Sequence, residues 1–291
     1  MHVLAHGGAG GSPSAAAERQ RVLDEAVEAG RVESSPRAAV LRAVGVLEAS
    51  PRFNAGYGGT VQVDGVHRCD AGLMTSDGRV GAVCNVTGVT HPSELARFVH
   101  GETPHVLLGP TGAERVAAHL GIDTDDELGT PDQRERFEEV DVPNDFEGQL
   151  ALANDRYGTG GSDPLDTVGA VATDGSRLAA ATSTGGRWLA LGGRIGDVPQ
   201  IGSGFFCSTA AAVSTTGAGE DIARLTLARD VERRVDGGAT PREAATDALA
   251  AFDGATEGSA GVIVIDATGR FATAYTSTGM QTAVATAPPD P

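Results

Sequence analysis

The 291-residue chain contains no lysine: all 22 of its basic residues are arginine, set against 39 acidic ones, for a net charge of −17 at pH 7. So negative a surface argues against nucleic-acid binding, which needs a basic face for the phosphates. The missing lysine also removes the side chain with which a P-loop holds phosphate. Cysteine is scarce. Cys69, Cys84 and Cys207 are odd in number and form no CxxC pair, so they read as reduced, mostly buried small apolar residues and not as a metal site or a nucleophile. No apolar run reaches the roughly eighteen residues of a membrane-spanning helix. The N-terminal MHVLAHGGAGG lacks the basic region and apolar stretch of a secretory signal. A cytoplasmic protein with no membrane partner is expected.

What is present suffices for one large core. Hydrophobic residues make up 40% of the chain, and layered α/β enzymes of this length form around a single core. An acidic, lysine-free surface suits a halophilic cytoplasm, where salt shortens the reach of self-repulsion. A genome whose codons favour Arg, Ala, Gly and Asp would give the same composition, and both readings stay open.

Strand and helix signals alternate. Val3 to Ala5 reads as a short strand entering a glycine loop, His6-Gly7-Gly8-Ala9-Gly10. Residues 15–30 and 36–49 read as helices, the second opened by Ser35-Pro36. Strands are predicted over 61–74 and 80–88, helices near 93–100 and 111–120, and a strand at 105–108 between those helices. Residues 121–166 are acidic and polar and end in a glycine-rich run from Tyr157 to Pro164, which predicts a mobile connection. Two short strands follow, Thr167 to Ala172 and Leu178 to Thr184, around the hairpin signal Asp174-Gly175. A helix over about 219–236 carries Ile222, Leu225, Ala228, Val231 and Val235 on one face. A capping box, Thr240-Pro241-Arg242-Glu243, opens another helix, and strands at Val262 to Ile265 and Phe271 to Thr276 close the chain. Strands, helix pair and strands in each half predict two sheets packed together between two helical layers.

The chemistry concentrates after the glycine-rich run. A threonine opening a strand is ordinary for a β-branched residue. Thr167, however, directly follows a flexible segment. If the chain were cut before it, the freed α-amine, with a pKa near ~8, would serve as the base its hydroxyl needs. Alternation places Thr182 and Thr184 on one face of the next strand. Arg194 and Asp197, three residues apart in a glycine-rich loop, form either a surface ion pair or a clamp for an amino acid. In the clamp, arginine would hold the α-carboxylate and aspartate the α-ammonium. The turn Thr216-Gly217-Ala218-Gly219 at a helix start is a cap, an anion nest or, within an amidase, an oxyanion hole.

Six motifs now fall in register: HGGAG at 6–10, FNAG at 53–56, DTVGAV at 166–171, TSTGG at 182–186, GRIGD at 193–197 and TTGAGE at 215–220. In order and spacing the chain resembles the plant-type L-asparaginase and isoaspartyl peptidase family, threonine N-terminal-nucleophile (Ntn) hydrolases, from about residue 3 to 282. The resemblance implies an α/β fold, the four-layer αββα Ntn sandwich, as a single domain over 1–291. It also implies self-cleavage between Asp166 and Thr167 into an α subunit (1–166) and a β subunit (167–291), assembled as an (αβ)2 homodimer. The implied substrates are the small molecules L-asparagine and β-aspartyl dipeptides.

By position, Thr167 resembles the nucleophile and Thr184 its hydrogen-bonding neighbour. Arg194 and Asp197 resemble the substrate anchors, Thr216 and Gly217 the oxyanion donors, Gly219 a pocket residue, and Asn54 the asparagine beside the nucleophile. No metal or organic cofactor enters the implied chemistry; the loop before Asn54 often holds a structural sodium ion in relatives. Asp166 departs from the pattern, since Asp-Thr is the cleavage pair of glycosylasparaginases, whereas TSTGG in place of TSTNG resembles the asparaginases. The bulky stretch Arg187 to Leu191 before GRIGD is placed to reshape the leaving-group side of the pocket. The rival readings are a glycosylasparaginase, a threonine endopeptidase and an unprocessed binding protein on the same fold.

The charge reading makes the first prediction. Crowded carboxylates repel over ~30 Å in ~0.01 M salt and over ~3 Å in molar salt. The melting temperature should therefore climb steeply from dilute buffer to molar KCl. A flat profile from about 0.05 to about 3 M would leave genome composition as the explanation for the missing lysines.

Overall fold

Strands of small and β-branched residues build the centre of the molecule. The computed structural model describes residues 1–11, 15–122, 124, 128–157 and 167–286. The first part runs β1 (His2–Gly10), α1 (Ala16–Arg31), α2 (Pro36–Glu48), β2 (Cys69–Thr75), β3 (Val80–Val86), α3 (Pro92–Glu102), β4 (Leu107–Leu108), α4 (Pro110–Leu120), α5 (Pro131–Glu138) and α6 (Phe146–Tyr157). The second runs β5 (Val168–Thr173), β6 (Leu178–Thr184), β7 (Phe205–Cys207), β8 (Ala211–Gly217), α7 (Gly219–Leu225), α8 (Leu227–Asp236), α9 (Pro241–Ala255), β9 (Ala260–Asp266), β10 (Phe271–Tyr275) and β11 (Gly279–Ala285).

One sheet has the order β11-β1-β5-β6-β2-β3-β4, the other β10-β9-β8-β7. Because side chains alternate across a strand, each sheet feeds two cores. On β5, Val168, Ala170 and Ala172 join the apolar cluster under α1 to α4, while Val171 points the other way, into the space between the sheets. On β8, Ala211 and Val213 face α8 and α9, and Ala212 faces the first sheet. The result is helices, sheet, sheet, helices: the αββα sandwich that the sequence implied.

The structure corrects several boundaries. The HGGAG glycines continue β1 as a strand through Gly10, with a register irregularity between His6 and Ala9. Of the expected strand over 61–74 only Cys69 onward is paired in the sheet; the chain turns at Gly65, where Gln62 N meets Val66 O. The expected strand at 105–108 keeps only Leu107–Leu108. The polar stretch from 121 holds two helices, the first opened by a full capping box of Thr130 and Gln133. The glycine-rich run expected to be mobile lies, from residue 158 on, together with Asp166, outside the described residues. The expected helix over 219–236 is two, broken at Thr226, whose φ is 48°. Sequence reading also missed β7, β8 as a strand, and β11. No helix among the described residues is long and apolar enough to cross a membrane. All three cysteines are buried.

Phe205 is wholly buried between the sheets, in one cluster with Met74, Val171, Leu178 and Ile263. Phe205→Ala should cost about 3–5 kcal/mol, the range for a buried aromatic lost from a packed core. Urea unfolding measures it; a cost below about 1 kcal/mol would show that the interface collapses to fill the gap.

Candidate active site

The register of β5 on β6 pairs Val168 with Ser183 and Gly169 with Thr182. Thr167, one residue earlier, therefore arrives level with Thr184. Its hydroxyl donates to Thr184 Oγ at 3.2 Å, and that oxygen also accepts from Gly186 N at 3.1 Å. Thr182 lies on the same face as Thr184, as alternation predicted. Its hydroxyl meets Gly204 O at 3.1 Å and Ser214 Oγ at 2.7 Å, and Ser214 Oγ lies 2.8 Å from His6 Nε2. A column of hydroxyls thus runs between the sheets beneath Thr167, closed by a histidine that burial keeps neutral, its pKa pushed down to about 3.

A small cavity at Thr167 is lined by Thr184, Gly186, Arg187, Arg194, Asp197, Gly217 and Gly219. The structure thus brings together Thr167, Thr184, Arg194, Asp197, Gly217 and Gly219 from the sequence reading. With a volume of about 10 Å³, the cavity has room for no more than a water molecule. Gly219 is there because nothing larger fits: a Cβ would stand 2.7 Å from both Arg194 Nη2 and Asp197 Oδ1. Gly217 has φ 140°, and its Cβ would meet Ser259 O at 2.2 Å. That positive-φ backbone, open to glycine, lets β8 turn into α7 at the rim of the cavity.

Two residues sit elsewhere than at the cavity wall. Thr216 is wholly buried behind Gly217. Asn54 spends both ends of its side chain on backbone, donating to Gly186 O at 2.7 Å and accepting from Thr60 N at 2.8 Å. It holds the loop after TSTGG. Sequence reading missed Glu220 and Asp70. Glu220 Oε1 accepts from Arg194 Nε at 2.9 Å, and Oε2 from Arg187 Nη1 at 3.2 Å. Asp70 accepts from Asn85 N at 2.8 Å. A lone carboxylate inside the apolar run Cys69-Asp70-Ala71-Gly72-Leu73-Met74 was the available signal.

A sequence model described as asparaginase matches residues 1–290. The chain belongs to the asparaginase family. An isoaspartyl peptidase/L-asparaginase from Bos taurus is 37% identical over 295 residues, covering 97% of this chain and 92% of its own length. A plant-type L-asparaginase from Pyrobaculum calidifontis is 39% identical over 292 residues, with 96% and 94% covered. An isoaspartyl peptidase from Salmonella typhimurium is 36% identical over 294 residues, with 96% and 93% covered. The threonine pair and the Arg194 loop of this asparaginase-family chain thus lie in a part of the sequence shared with enzymes of that description.

Arg194 organises the charges at this family site. Burial pushes Asp197 up to about 7 against the pull of Arg194, and Asp70 up to about 6. Glu220 is also desolvated, but the Arg194 hydrogen bond and the charges of Arg194 and Arg187 hold it down to about 2. The Asp197 Oδ2 atom is buried without a hydrogen-bond partner among the described residues. The folded chain thus keeps a proton on Asp197 to about pH 7, while the unfolded chain releases it near the ordinary 3.8. A raised carboxyl pKa costs the fold stability as pH rises through that window. Urea unfolding across pH should show the wild type losing stability relative to Asp197→Asn between about pH 4 and about pH 7. Parallel curves would mean that Asp197 ionises at its ordinary pH.

Proposed function

We propose that this chain is a threonine amidohydrolase that cuts itself before Thr167 and then hydrolyses L-asparagine and β-aspartyl (isoaspartyl) dipeptides. The observation that carries the reading is a threonine at the head of β5, hydrogen-bonded to Thr184 and facing a guanidinium and a buried carboxylate across one cavity. The names of its relatives support the same substrates and do not favour the glycosylasparaginase alternative.

In the first act Thr167 Oγ attacks the carbonyl carbon of Asp166. The peptide C–N bond breaks as the acyl group moves from nitrogen to oxygen, and water hydrolyses the resulting ester. The freed α-amine is the base for the second act. It takes the Thr167 hydroxyl proton as Oγ attacks the side-chain amide carbon of the substrate, and it returns that proton to the departing nitrogen. Ammonia or an amino acid leaves, and water releases aspartate from the acyl-enzyme. Arg194 would hold the substrate α-carboxylate by a fork of two hydrogen bonds and Asp197 the α-ammonium. Thr216 and Gly217 would stabilise the oxyanion, an effect of about 3 kcal/mol per donor in hydrolases of this kind. Since the cavity at Thr167 in the uncut chain is smaller than asparagine, cleavage would open the site as well as supply the base.

A sodium ion before Asn54 would be held by main-chain oxygens, because the buried Glu48 carboxylate is already bound to Ser93 and faces His91. Hard carbonyl oxygens suit such an ion. Its part would be to stiffen the loop that carries Asn54.

Purified protein should run as two fragments, the smaller beginning Thr-Val-Gly-Ala-Val. Thr167→Ala should remain one chain and lose at least about 10³-fold in asparagine hydrolysis, since hydroxyl and latent base vanish together. N-terminal sequencing and an ammonia-release assay check both. A wild-type chain that stays whole after long incubation in high salt, or an active Ala variant, would place the chemistry elsewhere.

A further inference from the structure

Arg187 lines two cavities: the small one at Thr167 and a larger chamber of about 790 Å³ that shares Arg187 and Arg194 with it. Ammonia, the leaving group from asparagine, would leave such a chamber unused. A β-aspartyl dipeptide would put a whole amino acid there, with a second carboxylate. Arg194 is already engaged with Glu220 and stands beside Asp197 at the α-amino-acid end. Arg224, also on the chamber wall, is ion-paired with Asp221. Of the two guanidiniums at the junction of the cavities, Arg187 is the one that does not stand beside Asp197.

Its placement is built in from several directions. Nη1 is hooked to Glu220 at 3.2 Å, and the guanidinium carbon lies 4.1 Å from the centroid of the Tyr157 ring. Nε is buried with no hydrogen-bond partner among the described residues. The next residue, Trp188, is buried in a cluster of its own with Val61, Val63 and Phe137. Leu189 then takes a left-handed φ of 58° while its N–H bonds Val61 O at 2.8 Å. A branched side chain adopts that conformation at a cost, and such cost tends to sit where a fixed geometry is used. An anchored tryptophan and a strained turn thus fix the loop that holds Arg187 at the chamber mouth.

We propose that the chamber is the leaving-group subsite and that Arg187 binds the α-carboxylate of the departing amino acid, which makes β-aspartyl dipeptides with a free C-terminus the preferred substrates. This rests on the amidohydrolase reading above. The planar guanidinium suits a carboxylate held by two parallel hydrogen bonds, and stacking on Tyr157 keeps the plane in place. Leu150 and Leu191 on the wall favour an apolar second residue, and Asp221 and Glu257 disfavour an acidic one.

The test compares β-Asp-Leu with its C-terminal amide, using self-processed enzyme and L-asparagine as a third substrate. In the wild type, kcat/KM for the acid should exceed that for the amide by about tenfold or more, through KM. Arg187→Met should bring that ratio close to one, and Arg187→Lys, which keeps the charge without the planar fork, should restore part of it. The wild-type ratio needs no variant to fold. Equal wild-type rates on acid and amide would overturn the proposal. So would an Arg187→Met enzyme that loses activity on both alike with the ratio kept, since Arg187 would then only support the loop. Correctly cut wild-type enzyme that turns over none of the three substrates would instead bring down the amidohydrolase reading, and this proposal with it.

Discussion

The antiparallel register that pairs Val168 with Ser183 decides which way Thr167 points. A slip of one residue would turn every side chain of β5 to the opposite face. Thr167 would then lie under α2, among the apolar residues that surround Ala170 and Ala172, with no partner for its hydroxyl. The register is held because both faces of β5 and β6 are buried and differ in kind. The face toward the helices is alanine and valine save for Ser183, and the face toward the second sheet carries Thr167, Thr182 and Thr184. Buried hydroxyls need partners, and Gly186 N, Gly204 O and Ser214 Oγ supply them only in this alignment.

A second constraint is charge. Asp70, Asp197 and Glu220 all lie near Arg194, three carboxylates about a guanidinium that is itself almost out of water. An isolated buried ion is costly, and one partner removed leaves the others uncompensated. Arg194 meets this with its Nε on Glu220, which leaves its terminal nitrogens beside Gly219 and Asp197. Sharing Glu220 between Arg194 and Arg187 ties the Arg194 loop to α7 and to the stretch after β6 at once. The two arginines that line both cavities are held together through that one carboxylate.

How much of this the sequence disclosed depended on whether the signal was local. The hairpin at Asp174-Gly175, the strands beside it and the capping box at Thr240 were legible because turn chemistry and alternation are short-range. An identical signal at Thr130-Pro131-Asp132-Gln133 went unread because acidic composition around it suggested a loop. The stretch leading to Gly219 read as a turn from Thr216 on, since hydroxyls and glycine are turn formers, and the run Ala211–Gly217 before α7 was not read as a strand. It is a strand because Ser203 O and the interlayer column satisfy Thr215 and Ser214. The break at Thr226 has no local cause in the helical pattern. Tertiary contacts impose it: Ala228 N bonds Ser203 O and Arg229 N bonds Gly202 O, which rephases the helix so that Leu227 is buried and Leu225 exposed. At the site, motif residues were found one by one, but Glu220 and Asp70 act through Arg194 from other elements. Pairings of that kind depend on the fold.

The missing lysines bear on the interior as well as on the surface. With every cation an arginine, positive charge can be packed flat against rings and satisfied by backbone, which a compact, strongly hydrated ammonium does less well. Arg19 lies 4.5 Å from the Phe53 ring centroid, donates to Gly7 O at 2.7 Å and to Gln281 Oε1 at 3.1 Å, and also bonds Arg52 O. One side chain on α1 therefore pins the glycine stretch of β1, the FNAG loop and β11 together. Arg136 over Trp188 and Arg187 over Tyr157 do the same for the stretch after β6. Salt that screens the exposed i,i+3 and i,i+4 pairs leaves these stacked, part-buried contacts far less affected. Without lysine, the stretch beside the site is held by stacked, part-buried arginine contacts that ionic strength barely reaches.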